Sequence, residues 1–375
     1  MGQGAIRLCF NRSNDRYKKI KMNYFYRKNR CFYYILIALS VSLSGCLSNA
    51  TSIAREQTRE QTENVKWQEV SAVNKPTPRH EAGLVAINKD IYLLGGRRLN
   101  PTNRFNVIDN TWTELSPTPI EIHHLQPVAY QNKIYIIGAM TGPFPNEKPI
   151  DRVIVYDPKT DTYEFTHAIP KDRQRGGAGV VVYNDKFYIV GGITHGHMDG
   201  FKPWLDEYDP STGEWKTLHD APHARDHFQT AVIDHKLYAF AGRTTSHATN
   251  QAMTLTVLKG DVYDFKKGEW EAVNESTNIP TKRAGNSVAV YNDHLIILGG
   301  ESGEQVASHK EVEVYNPVNR TWSALPNSLL GRHGTGAVII DDTLYTASGS
   351  GNRGGGPELT SIEAIHLPSA WAQMH

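Results

Sequence analysis

The chain is 375 residues long, with 39% hydrophobic and 21% charged residues and a formal net charge of +1. A packed core is therefore feasible and wholesale disorder is excluded, as is a nucleic-acid-binding footprint spread over the whole molecule. At roughly 100–200 residues per domain the length allows two or three domains or one large repeat fold. A content of 31 Gly, 18 Tyr and 7 Trp favours strands and tight turns over long helices.

The charge is unevenly distributed. Residues 1–45 hold nine of the 40 Lys/Arg and one of the 39 acids, so the remainder carries 31 bases against 38 acids, a net charge of −7. The three cysteines, Cys9, Cys31 and Cys46, also lie at the front, so the segment after Cys46 must hold together by packing alone. Basic residues end at Arg30, an apolar run follows from Phe32 to Val41, and Leu43-Ser44-Gly45-Cys46 closes it. The run is about 14 residues to Gly45, short for a bilayer span of ~20 and right for the apolar region of a signal peptide. The tetrapeptide resembles the lipobox of bacterial lipoproteins. That resemblance implies that residues 1–45 are a lipoprotein signal peptide and that Cys46 is the first mature residue and carries lipid. The product would then be exported and membrane-anchored. Leu47, where Asp would signal retention, implies the outer membrane of a Gram-negative envelope, facing the periplasm or the cell surface. Met22 offers an alternative start. Residues 46–65 are polar and read as a flexible, lipidated tether.

The next segment repeats. An arginine is followed by a small or apolar stretch, a polar turn, an aliphatic-aromatic strand and a pair of small residues, first as Arg79-His80-Glu81 through Asn88-Lys89-Asp90-Ile91-Tyr92-Leu93-Leu94-Gly95-Gly96. Later copies end at Gly138-Ala139, Gly191-Gly192, Ala241-Gly242, Gly299-Gly300 and Ser348-Gly349. Sixteen residues before the first member of each pair stand Arg79, Ile122, Arg175, Arg225, Arg283 and Arg332. Each copy continues with an alternating strand and then an aromatic, as in Tyr156-Asp157-Pro158 to Tyr163, Tyr208-Asp209-Pro210 to Trp215, Tyr263-Asp264 to Trp270, and Tyr315-Asn316-Pro317 to Trp322; the first copy has Ile108-Asp109 before Trp112. The pattern resembles the kelch repeat over residues 66–368. The resemblance implies an all-β, six-bladed β-propeller with one four-stranded blade per copy, leaving 369–375 as a C-terminal tail. The physics agrees. Period-2 runs bounded by Gly, Asn and Asp make short antiparallel strands, the Asn88-Lys89 and Asn184-Asp185 turns suit tight hairpins, and the diglycine suits a place where backbones crowd. The repeated Trp and Tyr residues read as packing between blades. The last copy has its third strand near Ile362–His366 but no aromatic fourth strand, whereas a spare Trp67-Gln68-Glu69-Val70 precedes the first copy. That N-terminal strand is expected to close the last blade and leave no open edge.

In an up-and-down blade, the loop into the first strand and the loop after the second open on one face. That face is expected to collect Arg79, His80, Arg97, His123, His124, Arg175, His195, Arg225, His227, Arg243, Arg283, Glu301, Arg332, His333, Asn352 and Arg353, a basic rim on an acidic body that would steer anions. The insertions at 140–151, 194–205, 244–260 and 350–361 lie on the same face, where loops usually carry function. Arg79, His80, Arg97, His124, Arg175, His195, Arg225, Arg243, Arg283, Arg332, His333, Asn352 and Arg353 are the expected ligand-binding set, with Phe201, Trp204 and Phe228 available for stacking. Each repeat arginine has an alternative role, bonding blade carbonyls; Asp226 and Glu301, like Glu81 beside Arg79, could simply neutralise a neighbouring arginine. His195, His197 and Asp199, with His227 in the next copy, have metal-ligating side chains at close spacing. A Gly-rich loop does not fix their direction, and no metal or cofactor is assigned from the sequence.

Three functions remain open. The first is binding of an acidic small molecule or glycan, a sugar acid, in an Arg/His-rich funnel. The second is a carbohydrate isomerase, mutarotase or lyase in the same pocket, with Asp226, His227 or Glu301 as acid/base; exported sialic-acid mutarotases are similar in fold and compartment alone. The third is a protein-interaction platform for acidic peptides. The expected partners are an acidic sugar or peptide and, through lipid on Cys46, a membrane; nucleic acid is not expected, and a monomer is. Galactose oxidase-like chemistry is excluded, because the propeller has no cysteine for a Tyr–Cys crosslink.

Overall fold

The protein is described by a computed structural model covering residues 65–367 except Val273. The signal-peptide reading of residues 1–45, lipidation at Cys46, the tether up to 64 and the tail from 368 lie outside the described residues. Among the described residues, regular helix is limited to two 3-10 turns, His247–Thr249 and Glu275–Thr277, and no helix is long and apolar enough to cross a membrane.

Six four-stranded antiparallel sheets form six blades. In the first blade, Ala82–Ile87, Asp90–Gly95, Pro101–Asn106 and Thr111–Pro117 pair in chain order. The hairpins follow from their turn residues. Asn184-Asp185, Asn292-Asp293 and Asp341-Asp342 take positive φ at both positions, the backbone of the type I′ turn that matches strand twist. The first strand of each blade is innermost: Ala82–Ile87 neighbours Val128–Tyr130, then Gly179–Tyr183, Thr230–Ile233, Ser287–Tyr291 and Ala337–Ile340 follow around the axis and return to the start. The sixth blade is completed from the other end of the domain. Gln68–Glu69 pairs with Ile362–His366, Gln68 opposite Ala364 and Glu69 opposite Glu363, and Trp67 is buried in the same core as Ile365 and Leu367. The expected closure is what the structure shows.

The core lies between blades. Val85 and Tyr92 of blade 1 pack with Ile134 and Tyr156 of blade 2 and Val180 and Phe187 of blade 3. In blades 2 to 5, third-strand and fourth-strand aromatics seven residues apart meet: Tyr156–Tyr163 at 4.6 Å between centroids, Tyr208–Trp215 at 5.0 Å, Tyr263–Trp270 at 5.2 Å and Tyr315–Trp322 at 5.0 Å. In the first copy the partner of Trp112 is Phe105, at 5.1 Å, and not the Ile108-Asp109 pair, because Ile108 sits in the exposed turn beyond the strand. The diglycine crowding is real: a Cβ on Gly191 would lie 2.5 Å from the Arg225 carbonyl of the next blade, and one on Gly299 would come closer still to that of Arg332. The N–H groups of Gly192 and Gly300 donate to those same carbonyls, at 2.7 and 2.8 Å.

Candidate functional site

The five repeat arginines, Arg79, Arg175, Arg225, Arg283 and Arg332, are almost completely buried. Each guanidinium donates to the carbonyl sixteen residues ahead in its own blade: Arg79 to Gly95, Arg175 to Gly191, Arg225 to Ala241, Arg283 to Gly299 and Arg332 to Ser348, at 2.7–3.1 Å. Each also takes a third-strand partner: Asn103 for Arg79 at 2.5 Å, Asp206 for Arg175 at 2.7 Å, Asp261 for Arg225 at 2.8 Å, Glu313 for Arg283, and Glu363 for Arg332 at 2.5 Å. They are struts that stitch the mouths of five of the six blades. Their terminal guanidinium nitrogens are engaged internally, while the Nε of Arg225, Arg283 and Arg332 is buried without a partner; the five point into their own blades and do not line the axis as the ligand-binding expectation had them. Burial lowers Arg79 and Arg175 to about 10 without discharging them near pH 7.

Two residues beyond the strut, every blade reaches the axis in the left-handed conformation: Glu81, His124, Gly177, His227, Gly285 and Gly334 have φ between 53° and 63°. These residues form a closed belt of backbone hydrogen bonds. His124 N–H donates to Glu81 C=O at 2.9 Å, Gly177 to His124 at 3.1 Å, His227 to Gly177 at 2.9 Å, Gly285 to His227 at 2.5 Å and Gly334 to Gly285 at 3.0 Å; Ala82 N–H completes it onto Gly334 at 3.0 Å. Three blades place glycine there, the residue this backbone favours. The other three place Glu or His at a strain of about 1 kcal/mol or more each, and such strain gathers at functional sites.

The side chains at these three positions meet over the axis. His124 and His227 are joined by His197, which descends from the blade 3 insertion between the short strands Ile193–His195 and Asp199–Phe201. The three ring centroids are 4.6–4.9 Å apart, and all three rings are buried. His227 Nδ1 faces Asp226 and His197 Nδ1 lies 2.9 Å from Glu147 Oε1, so the two Nε2 atoms face each other at 2.9 Å. His124 Nδ1 lies 2.6 Å from His123 Nδ1, and its Nε2 is 3.3 Å from Glu81 Oε2 without a hydrogen bond. Burial lowers His197 to about 4 and holds His124 well below its ordinary range, so both are neutral near pH 7. Burial alone would raise Glu147 and Asp226. The contacts of Glu147 with His197 and Arg97, and of Asp226 with His227 and Arg243, more than offset it and keep both ionised.

The remaining predicted residues divide. Arg243 and Glu301 form a buried pair at 2.5 Å, with His333 Nε2 3.4 Å from Glu301. Burial opposes ionisation of Glu301, but His333 and Arg243 bring it down to about 2; it is a carboxylate, unable to act as a resting acid. Arg97 binds Glu147 at 2.6 Å, and His80 binds Glu358 at 2.7 Å. His195 points away from the axis and pairs with Asp199 on the exposed loop tip, so the two drop out of the His195–His197–Asp199 grouping: the hairpin turn between them sends only His197 inward. Asn352 and Arg353 stay on the blade 6 insertion, Arg353 donating to Gly303 C=O at 2.9 Å. Phe228 is buried, Trp204 is covered by Arg173 at 4.1 Å, and Phe201 is partly exposed on its hairpin. Glu81 serves His124 and His333, not Arg79.

Glu147 and Asn286 are not singled out in the sequence, Glu81 reads there only as a neutralising partner of Arg79, and His197 only as one of the metal-ligating side chains of its loop. One sequence signal was available for Glu81: at the offset where three copies carry Gly, the others carry Glu81, His124 and His227. Below the histidines, the axis holds a small cavity of about 30 Å³ lined in part by Glu81, His124, His227 and Asn286. Asn286 is buried, yet neither its Oδ1 nor its Nδ2 has a hydrogen-bond partner. Beneath, two amides bridge blades: Gln126 donates to Thr230 C=O at 2.7 Å, and Gln229 donates to Thr335 C=O at 2.9 Å. Past them the channel is lined by Val128, Val180, Val232 and Val288.

Residues 128–349, more than half of the chain, match the KLHDC2/KLHL20/DRC7 Kelch-repeats domain. The chain belongs to the kelch-repeat family. This kelch propeller is 26% identical over 288 residues to Kelch-like protein terF of Aspergillus terreus, covering 72% of this chain and 61% of that protein. It is 24% identical over 287 residues to Kelch-like protein 40 of Xenopus tropicalis, covering 72% and 44%. It thus spans less than two-thirds of the length of these curated relatives. Among solved structures it resembles that of YjhT, with a TM-score of 0.65 and 17% identity over 77% of this chain and 95% of that one, a likeness of fold.

Proposed function

We propose that this kelch propeller is an exported, lipid-anchored protein that binds a small neutral polyol or sugar at its axis, with a single hydroxyl entering the cavity. The observation that carries the reading is the Asn286 amide, buried against the axial cavity with donor and acceptor both unpaired. A buried amide left this way is destabilising, and one ligand hydroxyl, which both donates and accepts, supplies both partners. An acidic ligand, favoured by counting arginines, suits the site less. The struts point into their own blades, Arg97 and Arg243 already face Glu147 and Glu301, and Glu81 and Asp226 add negative charge. Catalysis by Asp226–His227 is the second reading, supported by the buried carboxylate-imidazole contact beside the cavity. Protein docking is supported by Phe144 and Phe201, both partly exposed on insertions of the same face.

Titration of the full chain with glucose and galactose, against glucuronate and galacturonate, should show binding of the neutral sugars. Asn286→Leu should weaken it tenfold or more while melting no lower than wild type, because an orphaned amide is exchanged for an apolar side chain of similar shape. Neutral-sugar binding unchanged in that variant would end the reading. Anchoring is checked separately: Cys46→Ser should move the protein from the membrane fraction to the soluble fraction, and a membrane-bound Cys46→Ser protein would refute lipidation.

A further inference from the structure

His124, His197 and His227 come from three consecutive blades and offer ring nitrogens that all lie within 4.8 Å of one another. Blade 3 keeps glycine at its own axial position, Gly177, and delivers its imidazole from above. The backbone there is anchored by His197 N–H donating to Pro145 C=O and His247 N–H donating to His197 C=O, both at 2.9 Å.

The outer contacts determine which nitrogen faces inward. A carboxylate only accepts, so Asp226 requires the proton on Nδ1 of His227; His197 Nδ1 lies 2.9 Å from Glu147 Oε1 off the line of a hydrogen bond, and the negative charge there favours the same tautomer. Both Nε2 atoms then present lone pairs to each other at 2.9 Å, an arrangement that repels unless a cation joins them. Tetrahedral coordination at ~2.0–2.1 Å places two ligand nitrogens roughly 3.3 Å apart, a displacement of a few tenths of an ångström from the distance present. The carboxylates are themselves held: Asp226 by the backbone N–H of Thr245 at 3.0 Å and its Oγ1 at 2.5 Å, Glu147 by Arg97 at 2.6 Å. Imidazoles braced on the far nitrogen by hydrogen-bonded carboxylates are the usual outer arrangement of a metal centre.

We propose that His124, His197 and His227 bind a single divalent metal of the zinc type, with Asp226 and Glu147 as positioning residues. Three imidazole ligands suit zinc and its late first-row neighbours over calcium or magnesium. Glu81, with Oε2 3.3 Å from His124 Nε2, lies where a fourth ligand approaches from the cavity. The proposal goes beyond sugar binding and is read without any sugar, so either can fail alone.

The test uses the full chain, stripped with a chelator and titrated with Co²⁺ as a spectroscopic probe and with Zn²⁺ in competition. One equivalent should bind with a nitrogen-ligand cobalt spectrum lacking the thiolate charge-transfer band that Cys9, Cys31 or Cys46 would produce. His197→Ala should lose at least about 100-fold in affinity and Glu147→Gln about 10–100-fold, while His195→Ala, on the loop tip, should match wild type. Thermal melts establish that each variant is folded; should His197→Ala not fold, Glu147→Gln decides. Equal affinity in wild type and His197→Ala, or no binding at micromolar metal by folded wild type, would overturn the site.

Discussion

Replacing Arg225 by Ala should destabilise the propeller by about 3–5 kcal/mol. Arg225 Nη1 donates to Ala241 C=O at 2.7 Å, and Nη2 donates to Lys259 C=O and Asp261 Oδ2, both at 2.8 Å. Arg225 and Asp261 are both almost completely buried. Without the guanidinium, a carboxylate and two carbonyls stay buried with fewer partners, and the carboxylate is the costly one. Arg225→Met together with Asp261→Asn should recover part of the loss, because the unpaired charge is removed too. Urea unfolding at neutral pH gives both values. A variant Arg225→Ala that unfolds like wild type but loses sugar affinity would show that the guanidinium faces ligand and is not a strut. Blade 2 illustrates the logic, since Ile122 stands at the strut position, fully buried within an apolar cluster, and no third-strand carboxylate is needed there.

Deleting Lys66–Ala72 should lower the melting temperature by the order of 10 °C or cause aggregation. The segment supplies the fourth strand of the last blade. Val70 N–H donates to Ile362 C=O at 2.9 Å, and buried Trp67 donates from Nε1 to Pro326 C=O at 2.8 Å while filling the core beside Leu325 and Ile365. Loss of a buried Trp side chain alone costs about 3–5 kcal/mol, and the bared edge of Ile362–His366 becomes a template for pairing with other chains. Trp67→Ala, which keeps the strand, should melt between the two. A deletion variant that melts with wild type and stays monomeric would mean the ring is closed by something else.

Much of this was legible because repetition turns spacing into position. The sixteen-residue offset from arginine to the small-residue pair is the span of a hairpin whose far end returns beside its start, which is why Arg225 Nη1 meets Ala241 C=O and Arg332 Nη1 meets Ser348 C=O. The seven-residue aromatic spacing is likewise a hairpin that brings Tyr208 against Trp215. What the same offset left open was direction. A guanidinium at the mouth of a blade can point to solvent or fold back onto its own carbonyls, and only the third-strand partners Asp206, Asp261, Glu313 and Glu363 decide for the latter.

The working centre was less legible, because its members are far apart in the chain and related by the ring. Nothing local distinguishes His197, which enters the axis, from His195, which leaves it; a hairpin turn between them makes the difference. Glu147 has no repeat position at all and reaches His197 only because two insertions interlock over the mouth. Sequence alone determined six repeated hairpin units and the strand that closes them, since alternation, turn chemistry and fixed offsets act over short distances. Only the tertiary structure decided that the arginines are spent on the scaffold and that histidines gather on the axis, because closing a ring sets which side chains from separate blades share one small volume.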